Sequence, residues 1–282
     1  MKAIAETMKV SRTDQYRSLK SCKVAGRCFY RKSDDAQYLP MIREIVDERV
    51  TYGYRRITAL LNRTFKAEGK PLVNHKRVYR IMKMNNLLLQ KHTGRAIRVH
   101  DGTVVMIRSN LRWCSDAFEI GCWNGERIRV AFSMDCCDRE IMSYAATTGG
   151  ISGDLIRDLI TESIEARFGM VDRVPRKIQW LSDNGPAYIA RATRQFAQMM
   201  GFEVCTTPYY SPESNGMAES FVNTFKRDYV HVNPLRDARS VMGKLPDWFK
   251  DYNENHPHKG LKMMSPREFR KHQIKLDLCP VK

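Results

Sequence analysis

The chain has no run approaching the roughly 18 consecutive apolar residues of a membrane span, although 43% of its 282 residues are hydrophobic. Its opening, MKAIAETMKVSR, lacks the continuous apolar stretch of a signal peptide. No membrane partner is therefore expected, and a cytoplasmic place is. A glycine-rich dinucleotide fingerprint is missing, and so is any sustained heptad. The eight cysteines do not form a metal or disulfide pattern. Cys22 and Cys28 have no histidine near them at zinc-finger spacing. Cys136 and Cys137 are adjacent, a poor geometry for pairing with each other. With no export signal, all eight are expected to be reduced. These absences set aside membrane proteins, disulfide scaffolds, zinc fingers and nicotinamide enzymes.

Acidic residues are scarce in only one part of the chain. Residues 1–100 hold 23 Lys and Arg against 8 Asp and Glu, while residues 101–282 hold 25 against 23. Nearly all of the net charge of +17 thus sits in front. A basic segment of ordinary hydrophobicity points to a polyanion, most often nucleic acid.

Residues 34–91 read as helices. Ile42, Ile45, Val46 and Val50 follow helical spacing, as do Ile57, Leu60 and Leu61, with TYGYRR between the two sets and Gly53 as its turn residue. A third helix is expected from the cap Asn74, with Val78, Ile81 and Met82 inward and Lys76, Arg77, Arg80 and Lys83 on more exposed faces. Three short helices with a basic last one is the layout of a helix-turn-helix module. Its candidate DNA contacts are Arg55, Arg56, Lys76, Arg77 and Arg80. Residues 1–33 hold a weaker helical signal, and residues 92–110 read as a basic linker.

From residue 111 to 272 the pattern is that of a second domain, followed by a tail over 273–282. RWCSDAFEIG and ERIRVAFSMDCC read as strands around Trp123, Asn124 and Gly125, a hairpin signal. REIMSYAATT is a third strand after a turn at Cys137 and Asp138. A helix capped by Ser152 and closed by Gly169, the strand KIQWLSD, the helix ARATRQFAQMMG and the strand FEVCTT follow. A long helix is expected over roughly 213–231 and a last one near 237–253. This order is a mixed α/β sheet with helices on its faces.

Three acids stand out on this frame: Asp116 within the first strand, Asp183 at the end of the fourth and Glu219 on the long helix, with 35 residues between it and Asp183. Lys226 lies seven positions after Glu219, on the same helix face. Taken alone, Asp183 reads as a turn residue and Glu219 as an exposed helix glutamate. Asp138 reads as a turn residue and Asp135 as a structural or supporting group. Together the three acids suit hard divalent ions, which want oxygen ligands. Two such ions can stabilise both the attacking and the leaving oxygen of a phosphodiester displacement.

SDNGPAY followed by NGMAESFVNTFKRD resembles the DDE transposases of the retroviral-integrase superfamily. WCSD, DCCDRE, YGYRRI and NHKRVYRIM fit in order, and SPESNGMAES, NENHPHKGL and SPREF make the chain most similar to the second reading frame of the IS-three family of bacterial insertion sequences. The resemblance implies a ribonuclease-H-like core behind a small all-α helix-turn-helix domain. It implies Asp116, Asp183 and Glu219 as a catalytic triad holding two Mg2+ ions, with Mn2+ as a substitute, and Lys226 as a DNA-contacting lysine. The implied partners are the DNA of the element ends and the target, a second copy of the chain in the DNA complex, and the product of the upstream reading frame, alone or fused. Association with the bacterial nucleoid follows. Where many relatives carry a threonine after the first acid, this chain has Asp116-Ala117-Phe118. The alternatives are a metal-dependent nuclease on the same fold and a DNA-binding regulator with an inactive core.

Overall fold

A computed structural model describes residues 34–90, 106–206 and 216–278. The helical signal of residues 1–33, most of the linker over 92–110 and the expected helix start at 213 lie outside the described residues.

The front unit is three helices: α1 (Asp35–Glu48), α2 (Tyr54–Ala67) and α3 (His75–Met84). Ile42, Ile57, Leu61, Phe65, Val78, Ile81 and Met82 form its buried centre. Asn74 caps α3 as its sequence position predicts, its side-chain oxygen accepting from the Lys76 N–H at 2.9 Å. Val50 departs from the expectation. α1 ends at Glu48, and Val50, beyond it, is 54% exposed. Arg77 and Arg80 are not loose on the α3 surface either. Both reach back to Asp35, each at 2.7 Å, and tie α3 to the start of α1. Arg77 also lies over the Tyr38 ring, 4.4 Å from its centroid.

The second unit is built on five strands: β1 (Arg112–Gly121), β2 (Arg127–Asp135), β3 (Ile141–Thr147), β4 (Ile178–Ser182) and β5 (Phe202–Thr206). Their spatial order is β3-β2-β1-β4-β5. The first three form an antiparallel meander, and β4 and β5 add in parallel. Helices α4 (Gly153–Phe168), α5 (Pro186–Ile189) and α6 (Arg191–Met199) belong to one face. On the other lie α7 (Gly216–Phe225) and α8 (Ala238–Glu254). The expected last helix is not the last: α9 (Pro266–Leu278) follows it and runs past residue 272. The side chains of strand residues alternate between the faces. In β1, Trp113 and Ala117 join the α4 side, while Cys114, Phe118 and Ile120 join the α7 side.

The β2–β3 connection is more than a turn. Asp138 holds it as expected, its Oδ1 accepting from the Glu140 N–H at 3.0 Å, and is fully buried there. Its carboxylate receives Arg167 of α4 and the Ser109 hydroxyl, the latter at 2.6 Å. Arg167 also reaches Asp135 and Glu140, and Glu140 in turn holds Arg267 and Arg270 of α9 at 3.0 and 2.8 Å. No local pattern signals this network, because its members are scattered from 109 to 270. All five described cysteines are free. Among the described residues, no helix is long and apolar enough to cross a membrane.

The front unit docks on the second through side chains of α2 and of the turn between α1 and α2. Arg49 makes a two-pronged bond to Asp251 of α8, at 2.6 and 2.7 Å. Arg63 binds Glu268 at 2.6 Å, and the Tyr52 hydroxyl meets His256 Nδ1 at 2.7 Å. Arg56 reaches Asp228 at 3.0 Å.

Candidate active site

The central strand pair sets the site. β1 and β4 run in parallel, with Ser115 opposite Ser182 as the last paired row. The next residues along the two strands are Asp116 and Asp183. The face they share follows from the same alternation. Cys114 and Leu181, each two residues earlier, both belong to the α7 side. Asp116 therefore stands on that side, and Asp183 continues the same row where β4 gives way to a turn.

Each acid is fixed by the backbone beside it. Asp116 Oδ1 accepts from the Ala117 N–H at 2.7 Å, and Asp183 Oδ1 accepts from the Gly185 N–H at 3.0 Å. Asp183 thus does hold its turn, as the plain reading of the sequence has it, while remaining half-buried beside Asp116. Gly185 suits this position because a Cβ there would stand 3.0 Å from Asp183 Oδ1. Pro186 then starts α5, a first-turn position that needs no N–H donor. Tyr188 of α5 is buried behind the strand, its hydroxyl 2.9 Å from Ser115 Oγ. Sequence reasoning missed Tyr188, though it stands within the SDNGPAY stretch.

Glu219 projects, exposed, from the first turn of α7. That helix is pressed onto β1 by aromatic contacts. The Phe118 ring lies 6.5 Å from that of Phe221 and 5.7 Å from that of Phe225. Lys226 follows at the end of α7, its Nζ 5.8 Å from the Phe118 centroid. Phe118 is two residues past Asp116 and on the same strand face, so the lysine overhangs the strand that carries the first acid.

The electrostatics agree with a cation site. Burial first, and then the charges of Asp183 and Glu219, push the Asp116 carboxyl up to about 6 against the opposing Ala117 hydrogen bond. A carboxylate held at this cost is one that a bound cation relieves. The donors are all carboxylate oxygens, the set that hard divalent ions take. Among the described residues, no three His, Cys, Asp or Glu side chains converge to ligand distance.

The basic candidates of the front unit divide into two sets. Arg56, Arg77 and Arg80 are engaged with Asp228 and Asp35. Arg55 and Lys76 are exposed, with Arg55 Nε 3.1 Å from the Tyr54 hydroxyl. Tyr54 is also packed against His75 and Tyr79, with centroids 6.2 and 5.0 Å away. Tyr79 itself is 39% exposed.

Comparison with known proteins places this architecture. The family described as Integrase core domain matches residues 107–212, and a second family of the same description matches 200–266. The HTH-like domain family matches residues 32–95. "Transposase InsD for insertion element IS2A/D/F/H/I/K" of Escherichia coli is 48% identical over 241 residues, which are 85% of this chain and 80% of that protein. The chain belongs to the insertion-sequence transposases with an integrase core. Its family thus has the fold class predicted from the sequence, a ribonuclease-H-like mixed sheet behind a helix-turn-helix-like unit. Another relative of the same family, "Insertion element IS2A uncharacterized 48.2 kDa protein" of Escherichia coli, is also 48% identical, and the chain spans 57% of its length. Among solved structures, the catalytic domain of Mos1 mariner transposase is 16% identical with a TM-score of 0.44, covering 59% of this chain and 77% of that one.

Proposed function

We propose that this transposase cuts one strand at each end of its insertion element and joins the freed 3′-hydroxyl to target DNA, with Asp116, Asp183 and Glu219 as its divalent-ion ligands. The observation that carries the reading is the placement of Asp116 and Asp183 on consecutive rows of adjacent parallel strands, under the helix that bears Glu219. Two Mg2+ ions there, or Mn2+ in their place, would activate the attacking oxygen and stabilise the leaving one. The protein's own groups do the rest. Asp116 and Asp183 are held by neighbouring N–H groups and so present fixed oxygens. Glu219 supplies a carboxylate from the opposite side. Lys226 holds a DNA phosphate as a point charge near the acids. Joining exchanges one phosphodiester for another, so no nucleotide is consumed.

DNA at the element ends is engaged by the front unit through Arg55 and Lys76, the basic candidates left exposed. The working form is a multimer on DNA, in the cytoplasm beside the nucleoid, with the upstream reading-frame product as a further partner. The test is incubation of labelled duplexes from the two flanks of the gene with Mg2+ and a target plasmid. Wild-type protein is expected to cut and to join. Asp116→Asn, Asp183→Asn and Glu219→Gln each keep size but lose a charged ligand, and each is expected to abolish both steps while leaving DNA binding in place. Near wild-type cutting by Asp183→Asn defeats the site assignment. Cutting without joining by the wild type makes the protein a nuclease.

A further inference from the structure

α7 does not end as an ordinary helix. It widens into a π turn over Lys226–Val230, with the His231 N–H donating to the Lys226 carbonyl at 2.8 Å. Such turns interrupt helices rarely and are frequent at functional sites. The side chain of Asp228, in the middle of this turn, is only 1% exposed. Arg227 grips it with two nitrogens, both at 2.6 Å, and Arg56 of α2 reaches it at 3.0 Å. The next residue, Tyr229, donates its hydroxyl to Asp251 at 2.8 Å, and Asp251 is the carboxylate that Arg49 clasps. The front unit therefore holds two consecutive residues of the π turn, one directly and one through Asp251. The same turn begins at Lys226, whose side chain overhangs Phe118 beside the acids.

We infer that the π turn is the mechanical link between the DNA-binding unit and the active site, with Arg56 and Asp228 as positioning residues that aim Lys226 during joining. The inference rests on the proposed function, because it assigns Lys226 a phosphate in the same reaction. Arg56 itself does not touch DNA. Its guanidinium is held by Asp228 and lies over the Tyr52 ring, 5.1 Å from the centroid. A front unit held by α2 and the turn before it delivers bound DNA at one fixed angle to α7. Loss of the Arg56 tie leaves the Arg49, Arg63 and Tyr52 contacts in place, so the units stay together while the turn loses its direct brace.

The test uses the full chain and labelled duplexes from the flanks of the gene, with Mg2+ and a target plasmid. Arg56→Ala is suited to it because Arg227 still pairs with Asp228, and no buried charge is orphaned. Joining by Arg56→Ala is expected to fall about tenfold to a hundredfold, the scale of loss when a reacting group is misplaced by about 1 Å. The salt dependence of duplex binding is expected to stay at the wild-type slope, and crosslinks from position 226 to the cleaved bond are expected to weaken. Arg56→Lys is expected to recover part of the joining. Arg56→Ala combined with Asp228→Asn is expected to be no worse than the more defective single change, since both break one contact. A slope lowered by about 0.9 marks Arg56 as a phosphate contact and overturns the inference. So do wild-type joining by Arg56→Ala, or fully additive losses in the double variant. If Asp228→Asn does not fold, the joining, slope and crosslinks of the two Arg56 variants decide alone. Glu219→Gln and wild-type controls keep the outcomes apart, because a wild type that joins nothing defeats the proposed function instead.

Discussion

Replacing Asp116 by Asn should make the metal-free protein more stable while destroying its activity. The magnitude follows from the buried carboxyl. Its folded pKa is about 6 against an ordinary 3.8, a rise caused first by burial and then by Asp183 and Glu219. Two units at about 1.4 kcal/mol each set an upper bound of about 3 kcal/mol for holding the charge at neutral pH. The side chain is only partly enclosed, and solvent relaxes part of this, so about 1–3 kcal/mol is expected. The Asn amide oxygen can still accept the Ala117 N–H. For a chain of this size the gain raises Tm by roughly 2–4 °C per kcal/mol. The sign with pH follows from proton counting. Between about 4 and 6 the folded protein binds this proton and the unfolded chain does not, so stability from Asp116 rises as pH falls through that window. The advantage of Asp116→Asn should therefore be full above pH 6 and vanish near pH 4. Mg2+ should narrow it at neutral pH, because binding to the native state stabilises only the chain with intact ligands. The assay is thermal unfolding of both proteins in EDTA and in Mg2+ across this pH range. Equal Tm values in EDTA at neutral pH, or a difference that persists unchanged at pH 4, would refute the reasoning.

Three further outcomes are expected. Arg167→Met should cost about 3–5 kcal/mol in denaturant titrations, because it leaves Asp135, Asp138 and part of Glu140 buried without their cation; a cost below about 1 kcal/mol contradicts the network. Arg55→Ala and Lys76→Ala should each lower the salt slope of DNA binding by about 0.9, whereas Arg77→Ala and Arg80→Ala should destabilise the front unit through loss of Asp35 and leave the slope unchanged. Lys226→Ala should lower joining more than metal binding, and Lys226→Arg should keep part of the activity; normal joining by Lys226→Ala returns that lysine to the solvent.

Local pattern carried most of the fold. The span Arg112–Gly121 and the caps Asn74 and Ser152 emerge from the order of residues, because alternation and capping depend on near neighbours. The succession of strands and helices named the class, and the resemblance carried by SDNGPAY and NGMAESFVNTFKRD put forward Asp116, Asp183 and Glu219 as the candidate acids. Tertiary structure decided what depends on partners distant in sequence. The strand order put β4 beside β1, so that acids 67 positions apart stand on consecutive rows. It gave the turn residue Asp138 its buried partner, Arg167. It also sorted the arginines. Arg55 and Arg56 are neighbours in one motif, yet one is exposed and the other is bound to Asp228, 172 residues away. Helical periodicity fixes the direction in which a side chain leaves its helix, but the fold alone fixes what charge waits there.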